Sequence, residues 1–334
     1  MLKNKWFRLA IYLALFVICV MIIYVAPSVA GLFERTYVAE YGELNVTDKE
    51  SAYIMRDDTV YVSDSAGEIN TLAAEGQLVN GKAGIIQISG SGNDKKADKY
   101  TDILKSLGDA ATVSSGGITD TCGYVSYYVD GYESRLSGDK IEKLTRKKLA
   151  KYNFGHVVKT QTSKCAKGEP VFKITQNGDW WMIFFVDKKT SKRYKEDSDV
   201  TIKIDGNTIT GKVYKVGKSD GEYRIVLSSK TFFKNYLKLR NADITVTTAS
   251  AKGVLVKNSS IVTKDGKKGV LVKNKIGKYV FKPIMVKAAN DEESAVFEDY
   301  YADSRGYLVE TISIYDEVLK SPSKSEVRNA ESTK

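Results

Sequence analysis

The chain has 334 residues, 43% of them apolar, enough to bury real cores and to fill two or three domains. Lysine plus arginine is 51 against 41 aspartate plus glutamate, a formal net charge of +10. The charges are spread along the chain with no arginine-rich block or reader-helix signature, so a solvated lysine-rich surface accounts for them better than nucleic acid does. Cys122, Cys165 and His156 are too few and too irregularly spaced to fill a four-ligand zinc site, and no cofactor is expected.

The N-terminus carries Lys3, Lys5 and Arg8, and residues 9–26 then hold no charge. As a helix these span about 27 Å, close to the thickness of a bilayer core. The expected anchor, residues 9–30, rests on Leu9, Ile11, Leu13, Leu15, Phe16, Val17, Ile18, Val20, Ile22 and Ile23, with Tyr12 and Tyr24 near its ends. Positive charge before it, against Glu34, Glu40 and Glu43 after it, places residues 1–8 in the cytoplasm and the body outside, in a single-pass cell-membrane topology. A cleaved signal peptide ending at Ser28-Val29-Ala30 is the competing reading, disfavoured by the length of the apolar run. Residues 31–50 read as a linker.

Beyond residue 50 the pattern is mainly β. Asp205-Gly206, Asp220-Gly221 and Asp265-Gly266, each flanked by alternating apolar residues, read as hairpin turns. Residues 181–186, 200–204, 223–227, 244–247 and 278–286 are β-branched or aromatic, as strands are. Two helices are expected, at 94–107 and at 137–152 with Ser137 as N-cap. The last segment, 321–334, is polar enough to be disordered.

An internal repeat is the most informative feature. The first copy has a strand opening at Gly67, turns at Glu75-Gly76 and Asn80-Gly81-Lys82, and a closing strand at 86–88. The second has a strand opening at Gly123, turns at Asp130-Gly131 and Lys167-Gly168-Glu169, and a closing strand at 172–174, with a long insertion between its turns. Each half presents one apolar face at period two and needs the other to cover it. The pair resembles the lipoyl-like barrel-sandwich hybrid of the HlyD-type membrane fusion proteins, or periplasmic adaptors, most closely in Cys122–Glu133 and Ala166–Val186. The resemblance covers roughly residues 50–320. It implies a barrel-sandwich hybrid at 51–186, a β-barrel at 187–250 and a small membrane-proximal β-domain at 251–320. It departs from the family where a long coiled-coil hairpin belongs: only residues 90–121 separate the halves, without sustained heptads.

The resemblance further implies an export adaptor that binds a membrane transporter, of the ATP-driven (ABC) type, and self-associates. Without the hairpin, an envelope scaffold for cell division or wall assembly is the alternative. Enzymatic activity is not expected, because the chain lacks a Gly-x-Ser-x-Gly elbow, His-Glu-x-x-His, P-loop or dinucleotide fingerprint. Lys95 and Lys96, near where a carrier domain exposes its modified lysine, read as a solvated loop, as does the acidic stretch from Asp291 to Asp303, which lacks calcium-loop spacing. Trp180-Trp181 reads as a strand entering a core rather than an exposed platform. Cys122 and Cys165 are compatible with a disulfide outside the cytoplasm or with two free thiols.

Overall fold

The computed structural model describes residues 15–16, 35–90, 97–160, 163–233 and 235–332. Of the expected anchor only Leu15 and Phe16 are among them, helical and exposed. Its other positions, and Lys95 and Lys96, lie outside the described residues. Among the described residues no helix is long and apolar enough to cross a membrane. The chain divides into two compact units, residues 47–248 and the combination of residues up to 46 with those from 249.

The 47–248 unit holds a closed six-stranded barrel and a barrel-sandwich domain. Barrel strands run in the order Asp199–Ile204, Asn207–Ser219, Glu222–Ser229, Trp180–Val186, Glu40–Met55 and Asn241–Lys257, and the first closes on the last from Thr201↔Thr247 to Ile204↔Ile244. Asp205-Gly206 and Asp220-Gly221 make the expected tight turns, all four residues at positive φ. The run of seven apolar residues at 180–186 has a physical reason on each face. Trp180, Met182, Phe184 and Val186 fill the barrel, while Ile183 and Phe185 pack outside it under Leu136, Ile141, Leu144 and Leu149, with the half-buried Trp181 beside them. Trp180–Val186 is therefore a barrel strand, which moves the domain boundary from 186 to about 178.

In the barrel-sandwich, Lys164–Cys165, Gly67–Thr71 and Ile86–Ser89 form one sheet. Leu78–Val79, Gly123–Ser126, Pro170–Gln176, Asp58–Ser63 and Ala111–Ser114 form the other. Both halves of the repeat pair their opening strand antiparallel with their closing strand, Glu68↔Ser89 to Thr71↔Ile86 and Gly123↔Gln176 to Ser126↔Lys173. The opening glycines share a constraint: a Cβ would meet the partner strand's carbonyl, Ser89 O at 2.7 Å from Gly67 and Thr175 O at 2.2 Å from Gly123. Gly76, Gly131 and Gly168 turn at positive φ, but in the remaining turn Lys82, not Gly81, takes that conformation.

The insertion between the halves folds back onto the domain. Ile103 and Leu107 of the Thr101–Leu107 helix pack on Val60 and Val129, and Ala111–Ser114 joins the sheet edge parallel to Val60–Ser63. The helix expected at 137–152 is broken into a 3-10 turn, Gly138–Lys143, and one α-turn, Arg146–Leu149. Thr145 is extended and its hydroxyl caps Lys148 N, whereas Ser137 caps nothing. Gly138 lies against the Trp181 ring, where a Cβ would come within 2.5 Å.

In the second unit, Thr36–Val38, Glu317–Leu319, Lys267–Lys273, Tyr279–Pro283 and Glu331–Ser332 form a sheet, with Val262–Lys264 joined to Lys267–Lys273 through the Asp265-Gly266 turn. Val270, Val272 and Val318 face one core with Val254, Val256 and Val296, and Leu271 and Phe281 face another. Two expectations are corrected. Residues 31–50 are not a linker from Thr36 onward: Leu44 and Val46 alternate inward along the Glu40–Met55 strand. Nor is 321–334 disordered where described. Ser323 and Glu326 form a capping box on the Lys324–Asn329 helix, and Val327 and Ala330 pack against Leu271 and Phe281. The strand expected at 278–286 is split into Tyr279–Pro283 and Val286–Ala289.

Gly123→Ala forces the two strands apart and is expected to lower unfolding free energy by about 1–3 kcal/mol, the usual cost of overpacking. Gly178→Ala, with nothing near its Cβ, leaves it within error. Urea unfolding followed by tryptophan fluorescence measures both.

Candidate functional site

Three cationic and three acidic side chains are buried together where the barrel meets the barrel-sandwich: Arg56, Lys173 and Arg240 with Asp58, Asp130 and Glu133. Their formal charges cancel. Arg56 follows the barrel strand that ends at Met55, and Arg240 precedes the one that begins at Asn241. Asp58 opens the first sandwich strand and Lys173 sits within Pro170–Gln176, on the opposite face from the core residues Phe172 and Ile174. Asp130 and Glu133 flank the turn at Gly131.

The geometry is that of a joint. Arg240 donates from Nε to Asp130 Oδ2 at 2.7 Å and from Nη2 to Asp58 Oδ2 at 2.8 Å. Arg56 Nε donates to Asp58 Oδ2 at 3.2 Å. Its Nη1 and Nη2 reach the carbonyls of Tyr236, Leu239 and Leu237 at 2.7–2.8 Å, which ties down the barrel's 231–240 loop. Lys173 Nζ stands 3.6 Å from both Asp58 Oδ2 and Glu133 Oε1. Thr175 Oγ1 donates to Asp58 Oδ1 at 2.6 Å, and Glu133 accepts from the backbone of Asp130 and Gly131. Around this centre Phe232 stacks on Tyr124 with ring centroids 4.3 Å apart, and Lys238 lies 3.8 Å over the Tyr128 ring.

The electrostatics follow from burial and neighbours. Burial pushes the Asp58 carboxyl upward, but Lys173, Arg56 and Arg240 together hold it below its ordinary value. Burial acts likewise on Asp130, and Arg240 above all depresses it. Glu133 is raised, by burial and then by the charge of Asp130. Arg240 is held protonated by Asp130 and Asp58 against the effect of its own burial.

Such a neutral, interlocked cluster holds two domains in one orientation. His156 is exposed, and Cys165 is buried on the Lys164–Cys165 strand with its thiol pushed up by burial. Cys165 and the exposed Cys122 are both free, so of the two alternatives the structure has the free thiols, and Cys165 Sγ donates to Ser65 O at 3.6 Å. Gly67, Gly76, Gly81, Gly123, Gly131 and Gly168 shape the two halves, and of these only Gly131 touches the joint, donating to Glu133. Among the described residues no group of His, Cys, Asp and Glu is placed to hold a metal ion. Sequence reading missed the joint. Its signal was a lysine inside the apolar run 171–174 and carboxylates at strand ends, each needing a buried partner.

Residues 58–176 match the family described as RND related, barrel-sandwich hybrid domain, and residues 180–250 the one described as RND related, beta-barrel domain. Among solved structures the chain is similar to MacA from Actinobacillus actinomycetemcomitans, at 12% identity and a TM-score of 0.38, covering 86% of this chain and 100% of that one. It is also similar to ZneB from Cupriavidus metallidurans, at 14% identity and a TM-score of 0.27, over 85% and 91% of the two chains. For the membrane fusion protein Spr0693 from Streptococcus pneumoniae R6 the values are 9%, 0.28, and 61% and 100%. No curated protein sequence matches.

Removing one member of a buried ion set strands its partners, so Arg240→Ala is expected to cost about 3–5 kcal/mol in urea unfolding. The acid limb has a defined sign. Asp58 and Asp130 are depressed below an unfolded value of 3.8, so their stabilisation is present above it and is lost as pH falls through the native values. Glu133, raised above 4.5, acts oppositely: stability it contributes at low pH is lost as pH rises through its native value. Unfolding curves taken across the acid range should flatten below pH 3.8 in Asp130→Asn relative to the unaltered chain.

Proposed function

We propose that this chain, which belongs to the RND-related family and carries that family's barrel-sandwich hybrid and β-barrel domains in order, is a membrane-anchored adaptor that works by binding proteins and performs no bond chemistry. In this reading residues 9–30 anchor it as a single pass with the N-terminus in the cytoplasm, and the folded body stands outside. It joins a membrane transporter, of the ATP-driven type, at its external mouth, and self-associates there. The observation that carries the reading is the ordered pair of domain matches, 58–176 then 180–250, locked together by the buried joint. A body whose polar interior is spent on holding two binding domains in register suits transmission of a docking geometry. It does not suit turnover, which needs a nucleophile, base and cleft brought together.

A second reading, an envelope scaffold for cell division or wall assembly, is favoured by the folded-back insertion. Residues 97–121 lie on the domain instead of projecting an arm to a distant channel.

In-cell cross-linking of the full-length chain, then pull-down and mass spectrometry, separates the two. Enrichment of a transporter permease and its ATPase is the expected result. Enrichment of division or wall-synthesis proteins without a transporter overturns the adaptor reading in favour of the scaffold.

A further inference from the structure

The chain's net charge of +10 is concentrated in one place. Residues 135–168 carry ten lysines and arginines against Asp139 and Glu142, a net +8 in a tenth of the length. The fold gives this segment two sides. Leu136, Ile141, Leu144 and Leu149 turn inward onto the outer face of the barrel strand Trp180–Val186. Lys143, Lys147, Lys148 and Lys151 are left exposed, and Lys159 follows on the short Val158–Lys159 strand. The acids nearby are already taken. Asp139 accepts from the Ser137 hydroxyl, Glu142 pairs with Lys215, and Glu222 pairs with Arg146 at 2.8 Å. None of the five exposed lysines is ion-paired to a described acid. Lys148 Nζ donates to the Lys143 carbonyl at 2.8 Å, which sets these two residues side by side. Lys147 and Lys151, four positions apart along the same turns, repel one another.

We infer that this basic stripe is a binding site for a soluble phosphodiester polymer that carries no bases. An ammonium holds phosphate as a point charge from any direction, which suits a flexible polyanion better than the fixed fork of arginine does. Such a chain would relieve the repulsion and release its counterions as it bound. Three other occupants fit the surface less well. The cores of protein interfaces are poor in lysine and need large apolar or aromatic anchors. Here, among the segment's described large apolar residues, only Val157 is open, 37% exposed. A lipid surface takes up the apolar face of a peripheral segment, and this one has spent its apolar face on the barrel. Single-stranded nucleic acid needs free rings for its bases. The Tyr152 and Phe154 rings are instead packed on Tyr132, with centroids 4.9 and 5.2 Å away. The inference is independent of which protein the adaptor joins.

The test titrates the full-length chain, in non-ionic detergent, against fluorescein-labelled poly(glycerol phosphate), with anisotropy read from about 50 to 200 mM salt. The expected result is binding whose log affinity falls linearly with log salt. Replacing Lys143, Lys147, Lys148 and Lys151 together by glutamine is expected to weaken it about tenfold or more at the lower salt. The slope should become shallower by about three, as the loss of four phosphate contacts requires. Arginine at the same four positions keeps the charge and retains the affinity. Glutamine at Lys192, Lys203, Lys267 and Lys275, four exposed lysines elsewhere, removes the same charge and leaves binding nearly unchanged. No binding at the lower salt, or equal loss in the two glutamine variants, overturns the site. Better competition by charge-matched polyglutamate or by a single-stranded oligonucleotide overturns it in favour of an acidic polypeptide or a nucleic acid. Displacement of the polymer when the micelle is doped with phosphatidylglycerol overturns it in favour of a lipid surface.

Discussion

The structure of the 47–248 unit depends on a bargain among six buried charges. Each would be prohibitively expensive alone in a medium that cannot solvate it, and they are tolerable only as a set with matched partners. The carboxylates of Asp58 and Asp130 come from the barrel-sandwich and the guanidinium that satisfies both, Arg240, comes from the barrel. Rotating one domain against the other would part these charges without bringing water to either. The joint thus specifies an orientation more than it adds stability, since an apolar core of the same volume would hold the domains together at least as well.

Apolar contacts reinforce the same geometry. The segment from Leu136 to Phe154, an insertion within the second half of the repeat, covers the outer face of the barrel strand Trp180–Val186. Phe232 reaches from the barrel to stack on Tyr124 of the sandwich. Loop 231–240 is the common element. It offers carbonyls to Arg56, a ring to Tyr124, an ammonium to Tyr128 and then becomes the strand led by Arg240. A loop tied at so many points behaves as part of the core, and the two domains are expected to move as one body.

Much of this fold was legible because its devices are local. Tight hairpin turns require positive φ, which Asp-Gly pairs accept, and the pairs at 205, 220 and 265 all take it. The glycine-led repeat was legible because close approach of a carbonyl leaves no room for Cβ at Gly67 or Gly123. What escaped were features whose cause is distant in sequence. Arg56 and Arg240 are ordinary charged residues until the fold places them beside Asp58, and Trp180–Val186 shows no periodicity because two different domains cover its two faces. The capped tail was a different failure. The Ser-x-x-Glu spacing at Ser323 and Glu326 and the apolar pair Val327 and Ala330 were present in the text, but mean polarity outweighed them.

The fate of the insertion between the repeat halves connects this architecture to function. A sheet edge left at Asp58–Ser63 would expose unpaired backbone groups, a liability in any protein that assembles with others. Here Ala111–Ser114 pairs along that edge, and the Thr101–Leu107 helix covers the apolar surface around Val60 and Val129. The same residues cannot both seal the domain and extend from it as a long arm. Residues 101–114 are thereby committed to sealing the domain. The buried joint has the parallel effect between sandwich and barrel: with Arg240 bound to both Asp58 and Asp130, surfaces on the two domains keep fixed positions relative to one another.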